Sequence, residues 1–159
     1  MIIVVKIETE EHKQTLANLS QAYEAEFSHI TLKYPNQSGQ FLPDTTLDGA
    51  HDGYLLFNNE SIPLGFCLKG MKNGTHDIAE FYVIPPARRS GLGRSFALAV
   101  FNLYPGPWQV RQIEGAESAR AFWFEIINEF THGDFKESLV PDPHYGLVHC
   151  QTFTLRKAA

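Results

Sequence analysis

The chain has 159 residues, a formal net charge of -5 and two cysteines. Its length favours one domain, residues 1–159, which buries a core without needing a disulfide or a metal ion. The mild acidity argues against a nucleic acid or an anionic membrane as the partner, and cysteines that fit no C-x-x-C pattern indicate buried thiols in a cytoplasmic protein.

The first third of the chain predicts a strand, a long helix and an irregular segment. Ile2–Ile7 is an apolar strand, and the charges that interrupt it argue against a signal peptide or a membrane span. Thr9 and the acidic residues after it are typical of a helix start, and apolar residues at helical spacing extend the helix to about Phe27. Prolines and glycines then punctuate Thr31–Gly53, which either covers a functional site or forms a variable surface loop.

The rest of the chain predicts six further strands and two helices. One helix runs from Leu92 to Tyr104 and is apolar nearly all round, so we expect it to be buried. The other has Ser118 as its N-cap and ends near Gly133. The predicted strands are Tyr54–Phe57, Ile62–Met71, Asp77–Ile84, Trp108–Ile113, Phe135–Val140 and Leu147–Leu155.

A basic, glycine-containing stretch joins the central strand to the Leu92 helix. Amides at a helix N-terminus have no intrahelical partner and carry partial positive charge, and glycines allow an anion to approach the backbone. The stretch therefore predicts a phosphate-binding loop, and a turn with solvated arginines is the alternative. It is not a Walker A loop, because no Gly-Lys-Ser/Thr follows, and Phe96 replaces the third glycine of a dinucleotide fingerprint.

The spacing Val83-x-Pro85-x-x-Arg88-x-x-Gly91-x-Gly93 resembles the acetyl-CoA loop of the GCN5-related N-acetyltransferases, whose pattern is Arg/Gln-x-x-Gly-x-Gly/Ala. The order of the predicted elements matches that family over nearly the whole chain. The resemblance implies an α/β (α+β) fold with a mixed, mostly antiparallel sheet of six to seven strands flanked by helices. Three further segments are similar to a poorly characterised bacterial subgroup of acetyltransferases, and they are Ala79–Val83, Pro105–Trp108 and Phe122–Trp123.

The resemblance implies an enzyme that transfers an acetyl group from acetyl-CoA directly to a primary amine of an unidentified acceptor. The pantetheine arm would lie beside the central strand, where the backbone N–H of Val83 would stabilise the charge that develops on the thioester oxygen. The loop after that strand would bind the pyrophosphate. The expected cofactor-binding residues of this loop are Arg88, Arg89, Ser90, Gly91, Leu92, Gly93, Arg94 and Ser95.

Strand alternation places Glu80 and Tyr82 on one face of the central strand. We expect Glu80 to be the general base, directly or through water, because burial in an apolar strand would raise its pKa. A paired structural acid is the alternative. Tyr82 could contact the substrate or the core, and Tyr34 and Phe41 are the expected acceptor contacts in the irregular segment.

The family's usual general acid is the tyrosine that ends the pattern Asn-x-x-Ala-x-x-Phe/Leu-Tyr. Here Ala116 stands at the asparagine position and Trp123 at the tyrosine position. An indole is not a practical proton donor, so we expect Trp123 to pack on the cofactor and leave the general acid unassigned, with Tyr104 and Tyr145 as candidates. A catalytically weak or inactive acyl-CoA-binding module is therefore the alternative function.

Two further expectations concern metals and assembly. The seven histidines show no His-x-x-x-His and no acid–His spacing that would favour a metal ligand set, so we expect no metal site. A homodimer is possible, because proteins of this family often associate through the edges of strands or helices.

Overall fold

The computed structural model describes residues 2–156. These residues form seven strands and three α-helices in the predicted order. The helices are α1 (Glu10–Thr31), α2 (Leu92–Leu103) and α3 (Glu117–Phe130). The strands are β1 (Ile3–Lys6), β2 (Asp52–Phe57), β3 (Pro63–Lys72), β4 (Thr75–Val83), β5 (Gly106–Gln112), β6 (Lys136–Asp142) and β7 (Gly146–Leu155).

The strands belong to one seven-stranded sheet in the order β1-β2-β3-β4-β5-β7-β6. The pairs β1–β2, β2–β3, β5–β7 and β6–β7 are antiparallel, whereas β4 and β5 pair in parallel over His76–Ile78. The prediction of a mixed, mostly antiparallel sheet of six to seven strands flanked by helices is therefore confirmed. By contact density the described residues fall into two compact units, so the single-domain organisation stays a prediction.

The first unit comprises the described residues up to Lys69 together with Ala79–Phe96. Helix α1 begins at Glu10 because the Thr9 hydroxyl accepts a hydrogen bond from the His12 amide at 3.1 Å, as expected of an N-cap. The helix runs one turn beyond the predicted end. The buried core between α1 and the strands consists of Ile7, Leu16, Leu55, Phe66, Leu68 and Tyr82.

The second unit comprises Gly70–Ile78 and the described residues from Ala97 onward. Its core is aromatic: the Phe101 ring lies 4.9 Å from Trp108 and 5.2 Å from Phe153, centroid to centroid. The prediction that α2 is buried holds for Val100 and Phe101, both 0% exposed, but not for Leu103, which is 54% exposed in the last turn before Pro105. Cys67 and Cys150 are both buried and free, as predicted.

Helix α3 begins earlier than predicted. Its N-cap is Ala116, which has no capping side chain, and Ser118 lies inside the first turn, so the assignment of Ser118 as the N-cap is wrong. The cause is Gly115, whose φ of 91° turns the chain immediately before the helix. The residues that α3 buries are Trp123, Ile126 and Ile127.

None of the helices in residues 2–156 is both long and apolar enough to cross a membrane. Within the same residues, no group of three or more histidine, cysteine, aspartate or glutamate side chains could hold a metal ion.

Candidate active site

Glu80 lies in β4 and projects toward α1. The hydroxyl of Tyr23 donates a hydrogen bond to Oε2 of Glu80, and the hydroxyl of Thr45 donates one to Oε1 at 3.0 Å. Burial raises the pKa of Glu80 to about 7, although these two hydrogen bonds favour the charged form and limit the rise. The carboxyl group is thus able to accept a proton near neutral pH.

A small cavity adjoins this carboxyl group. Its volume is about 10 Å³, which is about the space that one water molecule needs. Two of the side chains that line it carry carboxylates, Glu80 and Glu24. The full lining is Ser20, Tyr23, Glu24, Pro43, Thr45, Phe66, Leu68 and Glu80.

The irregular segment 32–51 contributes Pro43 and Thr45 to this cavity. The predicted acceptor contacts occupy other places. Tyr34 is 88% exposed, and Phe41 is partly buried with its backbone bonded to the Gln21 side chain. The segment thus borders the cavity through residues that the sequence did not single out, and its covering of a functional site stays a prediction.

Tyr82 shares the α1-facing side of β4 with Glu80, as the alternation predicts. Its ring is 5% exposed and packs 5.7 Å from Tyr23 and 5.9 Å from Phe66, centroid to centroid. On the opposite face of the strand, Phe81 packs 5.3 Å from Phe96. Tyr82 therefore belongs to the core beside the cavity rather than to the cavity lining.

The backbone at the end of β4 is held from the β3 side. The Ile84 amide donates to the Leu64 carbonyl at 2.8 Å, and a side chain at Gly65 would lie 2.2 Å from the Tyr82 carbonyl oxygen. Because successive amides of a strand point to opposite edges, the Val83 amide points away from β3. Only glycine at position 65 allows this close approach.

Arg88 fixes the same backbone from the other edge. Its Nε donates to the Val83 carbonyl at 2.8 Å, and its two terminal nitrogens contact the Glu26 carboxylate at 2.7 and 3.1 Å. The guanidinium carbon also lies 5.6 Å from the centre of the Tyr82 ring. The Arg88 side chain thus binds residues of α1 and β4.

The predicted phosphate-binding loop forms a tight turn before α2. Pro85–Ala87 make one turn of 3₁₀-helix, and the Ser90 hydroxyl donates to the Ala87 carbonyl at 2.7 Å. The Gly91 carbonyl accepts the Ser95 amide at 3.0 Å, which makes Gly91 the N-cap of α2. Glycine has no side chain to cap the first-turn amides, which are those of Leu92, Gly93 and Arg94.

The other two arginines of the loop, Arg89 and Arg94, are exposed. Arg89 has a φ of 61° and Gly91 a φ of 83°, so the loop passes twice through the left-handed region. A helix N-terminus that begins at a glycine, with two arginines nearby, is a favourable place for an anion. Anion binding by this loop stays a prediction, and the Arg88 side chain contacts Glu26 and the Val83 carbonyl instead.

Trp123 and the candidate general acids lie in the second unit. Trp123 is 5% exposed and packs 6.0 Å from Phe101 and 5.0 Å from Phe122, centroid to centroid. The Tyr104 ring lies edge-on to Trp108, with the ring centroids 6.2 Å apart, and Tyr145 is 41% exposed between β6 and β7. Trp123 is a core residue of its unit.

The sequence did not single out two hydroxyl groups that contact Glu80. Tyr23 belongs to the apolar stripe of α1, and a stripe at helical spacing indicates core packing rather than a role beside a carboxylate. Thr45 lies in a segment without periodicity, where no local signal marks one threonine among several polar residues. Only the fold brings them together.

Solved structures share this architecture at low sequence identity. The spermidine N-acetyltransferase from Vibrio cholerae, solved with CoA and spermine, has a TM-score of 0.64 at 11% identity, and the match covers 97% of this chain and 95% of that chain. The ribosomal-protein-S18-alanine N-acetyltransferase from Escherichia coli has a TM-score of 0.58 at 12% identity, with 100% and 97% covered. No protein-family model and no curated protein matches the chain. The chain therefore has the fold of the GCN5-related N-acetyltransferases, as its resemblance to that family predicted.

Proposed function

We propose that this protein is an acetyl-CoA-dependent N-acetyltransferase in which Glu80 is the general base. The observation that carries the proposal is the Glu80 carboxyl group, whose pKa is raised by burial to about 7 and which borders a water-sized cavity. Glu80 lies three residues before Val83, which ends the strand, and the loop after Val83 leads to the start of α2. The general base and the anion-binding loop thus belong to one continuous strand–loop–helix segment.

The reaction requires a neutral amine. An alkyl ammonium group has a pKa near 10.4, so removing its proton at pH 7 costs roughly 4–5 kcal/mol. Glu80 would take this proton directly or through the water that the cavity accommodates. The amine nitrogen would then form a bond to the thioester carbonyl carbon, the C–S bond would break, and the sulfur would leave as a thiolate.

The residues of the first unit fit the binding of acetyl-CoA, which supplies the activated acetyl group. The amides of Leu92, Gly93 and Arg94 would bind the pyrophosphate at the start of α2, and Arg89 would add positive charge. The Val83 amide, which points away from β3, would donate to the thioester oxygen. Arg88 would hold the Val83 peptide in place through the carbonyl that it contacts.

A second function, a non-catalytic acyl-CoA-binding module, is favoured by Trp123. This residue stands where the family has its tyrosine, and its indole is packed in a core. Both functions predict binding of CoA, whereas only the enzyme predicts turnover. A homodimer and a cytoplasmic location also stay predictions, together with the identity of the acceptor.

Two measurements test the proposal. Calorimetry with CoA should find micromolar binding, and no affinity would contradict both functions. An assay of free thiol released from acetyl-CoA, run with a panel of primary amines, should identify a substrate. With that substrate, kcat should fall about 10²- to 10⁴-fold in Glu80→Gln. Binding without release in any amine would favour the non-catalytic module, and an unchanged kcat in Glu80→Gln would remove the base assignment.

A further inference from the structure

The segment 32–51, hereafter the strap, is fastened to α1 by the side chain of Gln21. The amide nitrogen of Gln21 donates to the Phe41 carbonyl at 2.7 Å, and the Phe41 amide donates to the Gln21 oxygen at 2.8 Å. One side chain thus satisfies both polar groups of one strap residue, as a neighbouring strand would. At this point the strap is held by a side chain rather than by the backbone hydrogen bonds of a β-ladder.

Lys33 makes the second fastening. Its ammonium group contacts the Glu24 carboxylate of α1 at 3.0 Å, the Asp44 carboxylate at 2.9 Å and the Leu42 carbonyl at 2.8 Å. Desolvation lowers the pKa of Lys33, but the hydrogen bonds to Asp44 and Glu24 outweigh it and raise the pKa. The lysine therefore stays charged and joins the middle of the strap to α1.

Glu24 explains why this contact matters. Its side chain is 4% exposed, and a buried carboxylate without a partner is strongly unfavourable. Lys33 compensates the charge of Glu24, and Asp44 completes the set with a second negative charge. Removing Asp44 would loosen the strap while Glu24 keeps its partner.

Thr45 makes the third contact, to the carboxyl group of Glu80. Tyr23 holds Oε2 from the interior of a long helix, whereas Thr45 holds Oε1 from the strap, directly after Asp44. Of the two donors, Thr45 is therefore the one that leaves without disturbing a helix. It also lines the cavity from the strap side.

We propose that the strap closes over Glu80 and must open before an acceptor amine reaches Oε1, with Lys33 and Asp44 as the latch and Thr45 as the group that occupies Oε1 when the strap is closed. The proposal rests on the proposed function only in giving Glu80 the role of base. Thr45 is a positioning residue in this scheme, since it sets the state of Glu80 between turnovers. The latch, the strap and Glu80 all belong to the first unit.

The ionisable groups around Glu80 determine how its titration reports on the strap. They are Tyr23 and Glu24 on α1, Asp44 on the strap and Cys67 on β3. Loss of the Thr45 hydrogen bond removes a contact that favours the ionised carboxylate, so the pKa of Glu80 should rise. Loss of the Asp44 charge lowers the pKa of Glu80 instead. A substitution at Thr45 is therefore used for this measurement, because it removes the hydrogen bond without removing a charge.

Strap opening is tested with Asp44→Asn, and Asp48→Asn is the matched control. Asp48 is also a strap carboxylate, but its hydrogen bonds are local, to Thr46 and Ala50. Hydrogen–deuterium exchange at residues 41–46 should accelerate at least tenfold in Asp44→Asn and stay near the wild-type rate in Asp48→Asn. Equal rates in all three proteins would contradict the latch.

Access to Glu80 is tested by labelling its carboxyl group with a water-soluble carbodiimide and methylamine, followed by mass spectrometry. Asp44→Asn should label Glu80 about tenfold faster than the wild type, with exposed Glu60 labelled equally in both. Faster exchange of the strap without faster labelling of Glu80 would overturn the proposed shielding.

The Thr45 contact is tested by following the titration of ¹³C-labelled Glu80 by NMR. Thr45→Val should raise the titration midpoint, and Thr45→Ser should restore it because serine keeps the hydroxyl. An unchanged midpoint in Thr45→Val would contradict the role of Thr45. None of these measurements requires acetyl transfer, so they stand or fall separately from the proposed function.

Discussion

The hydroxyl of Tyr23 donates a hydrogen bond to Oε2 of Glu80 and joins the middle of α1 to β4. Burial, and then the negative charge of Glu80, raise the pKa of Tyr23 well above its ordinary value. Tyr23 therefore keeps its proton at every pH at which the protein works. The ring is fixed by Phe27, Phe66 and Tyr82, so the hydroxyl presents a permanent donor to the carboxylate.

Tyr23→Phe should raise the pKa of Glu80, because it removes a hydrogen bond that stabilises the ionised form. A hydrogen bond to a charged group contributes about 1.5–3 kcal/mol, which corresponds to about one to two pKa units. The acidic limb of the pH profile of kcat/KM should move upward by that amount, and NMR titration of Glu80 should give the same shift. A stable variant with an unmoved midpoint would contradict this account of the site.

Glu80→Gln should make the protein more stable at high pH. The pKa of Glu80 is raised from 4.5 to about 7 in the folded protein, so the folded chain holds the proton more tightly than the unfolded chain. Stability from this group is complete below about pH 4.5 and is lost as the pH rises through 7. The full loss is about 3 kcal/mol, and glutamine, which does not ionise, avoids it.

Urea unfolding of both proteins at pH 4 and pH 8 measures this effect. Subtracting one protein from the other removes the groups that do not contact Glu80, so the difference reports on Glu80 and its immediate neighbours. We expect the free energy of unfolding of Glu80→Gln to gain 1–3 kcal/mol on the wild type between pH 4 and pH 8, on the order given by the pKa difference. A difference that does not vary with pH would mean that Glu80 is not destabilised by burial.

We expect Arg88 to stabilise the end of β4 rather than to bind the pyrophosphate. Its pair with Glu26 is bidentate, and both side chains are about two-fifths exposed, so we expect a coupling of about 0.5–1 kcal/mol in a double-mutant cycle of Arg88→Gln and Glu26→Gln. Calorimetry should find that both single variants weaken CoA binding by a similar small factor. Strong weakening in Arg88→Gln alone would assign the guanidinium to the pyrophosphate.

The sequence predicted the fold well because each element carries its own local signal. Thr9 marks the start of α1, Gly133 marks the end of α3, and alternation assigns Glu80 and Tyr82 to one face of β4. The start of α3 was misplaced because Ser118 is a good capping residue, whereas the positive φ of Gly115 decides where the turn occurs. A glycine is visible in the sequence, but the sign of its φ angle, and therefore the place where the chain turns, is not.

The sequence led to candidate site residues only where they lie in one continuous stretch. Glu80, Val83 and the Arg88–Ser95 loop follow one another, so a motif identifies them. Tyr23 lies 57 residues from Glu80 and Thr45 lies 35 residues from it, and no local pattern records such pairings. The partner of Arg88 was missed for the same reason, since Glu26 is 62 residues away.

Gly91→Ala tests the anion-binding loop, and Gly74→Ala is its matched control. Both glycines have positive φ angles, 83° and 76°, and a Cβ at either position would meet nothing within 4 Å. The cost of each substitution is therefore backbone strain alone, about 1–2 kcal/mol. Thermal unfolding should show similar destabilisation of the two variants.

Only Gly91 is the N-cap of α2, so only Gly91→Ala should weaken CoA binding. We expect the strain at this position to tilt the first-turn amides of Leu92 and Gly93 away from the position that an anion would occupy. Calorimetry should give at least a tenfold higher Kd for Gly91→Ala and a wild-type Kd for Gly74→Ala, which lies in the turn between β3 and β4. Equal affinities in the two variants would place the cofactor phosphates elsewhere, because strain without loss of binding shows that the turn before α2 does not contact them.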